Sequence, residues 1–169
     1  MLKFATDIFV AMSVVNPRLV RGPRWIKWTK PPQGSYILNT DGAVKSRSCL
    51  PSTEGLIRDS EIHWIGGFMV NIKLMYSLQA ELWGVSAGLC LTKSLGICRL
   101  VVELDALLVV QFLRRPFENI SSRHIHHEGN SCADHLANLA QHIERGLVCL
   151  ETPSARLKPL LHSDSCGEG

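Results

Sequence analysis

Four acids stand where an apolar core would not choose them. Asp41 closes an apolar run that begins at Tyr36. Glu81 lies in the first turns of an otherwise apolar segment. Asp105 follows Leu100-Val101-Val102-Glu103-Leu104, and Asp134 falls early in a later helical pattern. Each has a structural reading of its own. Asp41 before Gly42 is turn chemistry. Glu81 complements a helix N-terminus. Asp105 can cap a helix beginning at Ala106. Asp134 completes a capping box opened by Ser131. Taken singly, those readings suffice. Taken jointly, strand ends and helix starts are where a mixed sheet gathers its site residues. Carboxylates brought together repel one another unless cations lie between them. An all-oxygen donor set suits a hard cation, Mg²⁺ or Mn²⁺.

A second constellation is His124, His126, His127, Cys132 and His135. It is dense enough to weigh for zinc. Its spacing matches no standard structural finger, so an exposed basic loop near phosphate is the preferred reading.

The elements that must position these residues follow from periodicity and punctuation. Pro31-Pro32-Gln33-Gly34 is a turn, and Tyr36–Asp41 reads as a strand. Ser52–Arg58 and His63–Ile72 read as two more, joined through Asp59-Ser60-Glu61 in an antiparallel meander. Ser77–Leu95 is the clearest helix. Ser77 is its N-cap, Leu78, Leu82, Val85 and Leu89 repeat at helical spacing, and Gly96 ends it. Ile97–Leu104 reads as a buried strand. Ala106–Arg115 is a helix stopped by Pro116. A last helix over Asn130–Arg145 places Ala133, Leu136, Ala137, Ala140 and Ile143 on one face. From Thr152 onward Pro, Ser and Gly prevail, and a frayed tail is expected. This order predicts an α/β fold: a mixed sheet flanked by helices.

Composition agrees. The 169 residues fit one domain with tails. Hydrophobic residues make up 46% and charged residues 20%, a balance that excludes a disordered chain, a collagen-like repeat or a coiled-coil rod. No apolar run approaches the roughly 18 residues of a membrane helix. The net charge of +3 is unevenly spread. Residues 1–48 hold eight Lys and Arg against Asp7 and Asp41, and the remainder is net acidic. Arg18, Arg21, Arg24, Lys27 and Lys30 recur at every third position around Trp25 and Trp28. One reading is an arm that contacts phosphates and stacks on bases. The preferred one is a solvated linker whose tryptophans cap the domain edge. The six cysteines form no C-x-x-C pair. Cys90 reads as a buried thiol, and a reducing compartment, nuclear or cytoplasmic, is expected rather than secretion.

Four stretches carry a resemblance. They are Asn39-Thr40-Asp41-Gly42-Ala43, Gln79-Ala80-Glu81-Leu82-Trp83, Val102-Glu103-Leu104-Asp105-Ala106, and His124 through Ala137 with its Glu128-Gly129-Asn130 and Ala133-Asp134. In this order and spacing they resemble the signatures of a type 1 ribonuclease H domain. More narrowly, they resemble the plant ribonuclease H-like proteins related to reverse transcriptases of non-LTR retrotransposons. The resemblance spans about 25–151, leaving 1–24 as a basic arm and 152–169 as a flexible tail. It implies hydrolysis of the RNA strand of an RNA–DNA hybrid with two divalent cations, Mg²⁺ or Mn²⁺, at the scissile phosphate. Asp41, Glu81, Asp105 and Asp134 are the implied metal ligands. His124 is the implied proton-handling residue. Ser77, Gln79, Lys27, Lys30 and Asn130 are the expected nucleic-acid contacts, reading hybrid shape rather than sequence.

The chain departs from this pattern in three places. Between the second helix and His124, roughly two dozen residues of helix and strand are missing. Ala106–Ser121 is just long enough for a parallel crossover of about a dozen residues. A truncated fifth strand near Ser122–Ile125 is therefore expected; the alternative is a sheet with one face uncovered. Tyr76-Ser77-Leu78-Gln79 offers few polar groups before Glu81, and Glu54-Gly55 stands where the family tends to have consecutive glycines. Two other functions stay open: a nucleic-acid-binding module without catalysis, and a protein-interaction module that uses an exposed apolar face.

Overall fold

A computed structural model describes residues 30–44, 51–71, 77–113, 120–125, 130–140 and 146–166. The basic arm, with Trp25, Lys27 and Trp28, lies outside them. β1 (Tyr36–Val44), β2 (Pro51–Arg58) and β3 (Trp64–Asn71) form the expected antiparallel meander. Helix α1 (Ser77–Ser94) then leads to β4 (Leu100–Leu104), which runs parallel to β1. Helix α2 (Leu107–Leu113) leads to β5 (Ile120–His124), parallel to β4. Helix α3 (Ser131–Ala140), strand β6 (Gly146–Leu150) and helix α4 (Lys158–Cys166) complete the described chain. The sheet order is β5-β4-β1-β2-β3-β6.

Strand alternation divides the core between two faces. On one, Leu38, Ile57, Phe68, Val70, Val102 and Leu104 meet Val85 of α1 and Val109, Val110 and Leu113 of α2. On the other, Leu56 and Met69 lie beneath Cys132, Ala133, Leu136 and Ala140 of α3, with Leu157 joining them. Helices therefore cover both faces. Helix α2 lies in the connection between the parallel strands β4 and β5. The shortened chain closes its sheet with a five-residue fifth strand, two residues earlier than expected.

Three expectations need correction. Of the expected Leu78, Leu82, Val85 and Leu89 stripe of α1, Val85 is buried and the three leucines are only partly buried, so most of the fully buried side is a small-residue face. Ala80, Gly84 and Gly88 face the sheet, and a Cβ at Gly84 would fall 2.3 Å from Thr40 Oγ1 and 2.4 Å from Thr53 Oγ1. Large side chains cannot occupy so close a contact. The same placement turns Cys90 outward, so its thiol is exposed. Finally, the expected tail is in part structured. Leu157 is fully buried, Leu160 and Leu161 pack beside it, and α4 follows. Strand β6, which extends the sheet from β3, was also not foreseen.

Candidate active site

Asp41, Glu81 and Asp105 converge. One carboxylate oxygen from each lies within 4.8 Å of the others. The topology makes this meeting. The parallel β1–β4 ladder pairs Asn39 with Glu103, and two residues beyond that pair stand Asp41 and Asp105. Glu81 arrives from α1, whose backbone approaches β1 at Gly42. A Cβ there would lie 2.4 Å from Glu81 N and 2.6 Å from Ala80 C. Glycine at 42 is thus the condition for the helix to bring Glu81 beside Asp41.

The electrostatics follow from burial. Asp41 is 6% exposed and Glu81 5%; Asp105 is half-buried. Asp41 Oδ1 accepts the Gly42 N–H at 2.9 Å. Thr53 Oγ1 donates to the Asp41 carbonyl at 2.9 Å, fixing the backbone. Burial, then the negative charges of Asp41 and Asp105, push the Glu81 carboxyl up to about 9, against a hydrogen bond from the Gly42 backbone. Among the described residues, Glu81 Oε2 is buried without a hydrogen-bond partner. A buried acceptor left unsatisfied among carboxylates is a costly arrangement for a purely structural role. The donor set, all hard oxygens, fits a divalent cation such as Mg²⁺ or Mn²⁺.

The remaining expected site residues fall unevenly. His124 ends β5 beside Leu104, and its Nε2 lies 2.9 Å from the Asp105 carbonyl oxygen, which it can only reach as an N–H donor. It therefore stands at the rim of the acid cluster. Asp134 is in the first turn of α3, on the helix that covers β1 and β2; its side chain is outside the described set. Asn130 is 2% exposed and gives its Nδ2–H to the Thr40 carbonyl at 3.2 Å. So enclosed, the side chain fastens the start of α3 to β1 next to Asp41. Gln79 is half-buried two residues before Glu81, and Lys30 is exposed. Ser77 heads α1, with its side chain, like Lys27, His126 and His127, outside the described set. Cys132, from the zinc constellation, is packed in the apolar cluster of α3. Among the described residues, the acid trio is the group with cation-binding spacing.

Sequence reasoning missed a polar row just below this trio. Arg58 Nη2 donates to Asn39 Oδ1 at 2.7 Å, and Asn39 Nδ2 donates to Glu103 Oε2 at 2.6 Å. Arg123 Nε donates to Glu103 Oε1. Burial pushes the Glu103 carboxyl up, opposed by Arg123, Asn39 and Arg58. The available signal was a glutamate in the middle of an apolar strand.

A mixed sheet of this order, with one acid inside β1, one just past β4 and one on α1, has the ribonuclease H-like fold. Residues 39–119 match the family model described as reverse transcriptase-like. Over 94% of the chain, 30% of residues are identical to the Arabidopsis thaliana "Putative ribonuclease H protein At1g65750"; the chain spans 28% of that relative's length. Ribonuclease H1 from the halophilic archaeon Halobacterium salinarum NRC-1 superposes with a TM-score of 0.57 at 20% identity, over 64% of this chain and 98% of that one. LC11-RNase H1, solved in complex with RNA/DNA hybrid, gives 0.56 at 20% identity, over 63% and 96%. Sequence and fold point the same way: the fold is that of the ribonucleases H, and the central segment is similar to the reverse transcriptase-like family.

Proposed function

We propose that this chain hydrolyses the RNA strand of RNA–DNA hybrids in a reaction that depends on a divalent cation. The observation that carries this reading is the convergence of Asp41, Glu81 and Asp105 around a buried, unsatisfied Glu81 oxygen. Support also comes from the ribonuclease H names of its relatives, one of them solved with a hybrid bound. Asp41, Glu81 and Asp105 would hold the cation, with Asp134 completing the donor set for a second ion. A cation bound by these residues would supply Lewis acidity toward the scissile phosphate and toward water. Asp41 stays fixed by the Gly42 N–H, so its oxygens need no reorganisation when substrate arrives. Glu81 must give up its proton before it can serve as a ligand. His124, at the rim, would carry a proton between the cluster and solvent.

The test is cleavage of an end-labelled RNA strand in a hybrid, with Mg²⁺ or Mn²⁺, with excess chelator, and with Asp41→Asn. Cleavage that needs the cation and is lost in the variant is expected. Soluble, folded protein that binds the hybrid without cutting it would favour a non-catalytic binding module instead.

A further inference from the structure

The geometry points to the Arg123–Glu103–Asn39–Arg58 row as a positioning device that sets the spacing of Asp41, Asp105 and His124 for cation binding. The row crosses four neighbouring strands in the sheet order β5, β4, β1, β2. It is a continuous chain of hydrogen bonds from Arg123 to Glu103, from Asn39 to Glu103, and from Arg58 to Asn39. The Asn39 amide is the link, since its oxygen accepts from Arg58 while its nitrogen donates to Glu103. Both amide ends are thereby assigned, and the side chain has one orientation. Arg58, Asn39 and Glu103 are each 1% exposed.

Its place relative to the site gives the row its role. Glu103 pairs in register with Asn39 on one side and with Arg123 on the other. Asp41 and Asp105 lie two residues further along β1 and past β4, roughly 6–7 Å away on the same side of the pleat. His124 is the residue after Arg123. A slip of β5 by one residue would turn its side chains over. That strand is short, lies at the sheet edge and is tethered through a brief crossover. Apolar packing on this face would tolerate small lateral shifts; a directional charged row does not, and fixing register is the best-attested use of buried polar groups. The two guanidinium groups also leave the row net positive beside three carboxylates, which offsets part of their mutual repulsion.

The role draws on the hybrid-ribonuclease reading only for its turnover readout, because cation affinity can be measured without substrate. Mn²⁺ binding is followed by calorimetry in the full chain, alongside a thermal melt and hybrid cleavage. In Asn39→Leu and Arg123→Met, Mn²⁺ affinity is expected to fall about 10-fold or more, as for groups that orient metal ligands. Arg123→Lys should restore most of that loss, because it can still pair with Glu103. Turnover should fall in the same order, with KM for the hybrid little changed. If Asn39→Leu does not fold, the Arg123 pair decides. Variants that melt lower yet bind Mn²⁺ like the wild type would overturn the role, leaving the row a stabiliser alone. A wild-type chain that binds no Mn²⁺ would overturn it as well. Cation binding that depends on the row, without hybrid cleavage, would uphold it and reject the hybrid-ribonuclease reading.

Discussion

Glu81 is the residue whose chemistry the site alters most. With its carboxyl pushed up to about 9 by burial, Asp41 and Asp105, it holds a proton at neutral pH while no cation is bound. Its folded-state pKa exceeds the unfolded value, so its stability contribution is complete below about 4.5. That contribution is lost as pH rises towards about 9. Cation-free protein should therefore melt at progressively lower temperature from pH 6 to pH 9. Glu81→Gln, which cannot ionise, should flatten that slope and raise stability at pH 9 by about 1–3 kcal/mol, while abolishing Mn²⁺ binding. Melting curves in chelator and calorimetry with Mn²⁺ check the two halves. His124 belongs at the same scale but to another step. His124→Ala should lower turnover about 100-fold and leave Mn²⁺ affinity close to wild type, since its ring meets the Asp105 backbone carbonyl. A matching loss of affinity would assign His124 to ligand placement instead of proton transfer.

Helix α1 shows why elements were easier to find in the sequence than their orientation. Its span was legible from the Ser77 cap and Gly96, whose positive φ of 69° ends it. Its buried face was legible only in part, through Val85. Periodicity weighs apolar bulk, whereas contact with β1 selects the smallest side chains, Ala80, Gly84 and Gly88. Gly84→Ala should thus cost about 1–3 kcal/mol by overpacking and weaken Mn²⁺ binding by lifting Glu81, which a melt paired with a titration would show. Strand β6 escaped notice because most of its residues are exposed, so Leu147–Leu150 is a short apolar run without alternation. Helix α4 was hidden differently: its Pro and Ser content argued for a tail, although Leu157, Leu160 and Leu161 carry a helical spacing. Leu157→Ala should cost about 2–5 kcal/mol in a denaturant melt, with Mn²⁺ affinity unchanged. An unaltered midpoint would mean that α4 does not belong to the core.

At the scale of the molecule, the acids were legible and the row beneath them was not. Asp41, Glu81 and Asp105 each break a local pattern, and local breaks are visible in a single sequence. Asn39 and Glu103 are 64 residues apart and Glu103 and Arg123 20 apart, so only the folded sheet makes them neighbours. The connection between β4 and β5 was likewise undecided until the sheet showed β5 parallel to β4, with helix α2 between them in the chain. The whole molecule then presents a carboxylate cluster held by strands β1, β4 and β5 and completed from α1. The most direct check of that arrangement is the proton count on Mn²⁺ binding, from calorimetry at pH 7 in two buffers of different ionisation enthalpy. Close to one proton should leave per binding event, because Glu81 enters the cation site from its protonated form. That release should vanish with binding in Glu81→Gln. Binding that releases no proton and is indifferent to Glu81→Gln would contradict a cation site built from Asp41, Glu81 and Asp105.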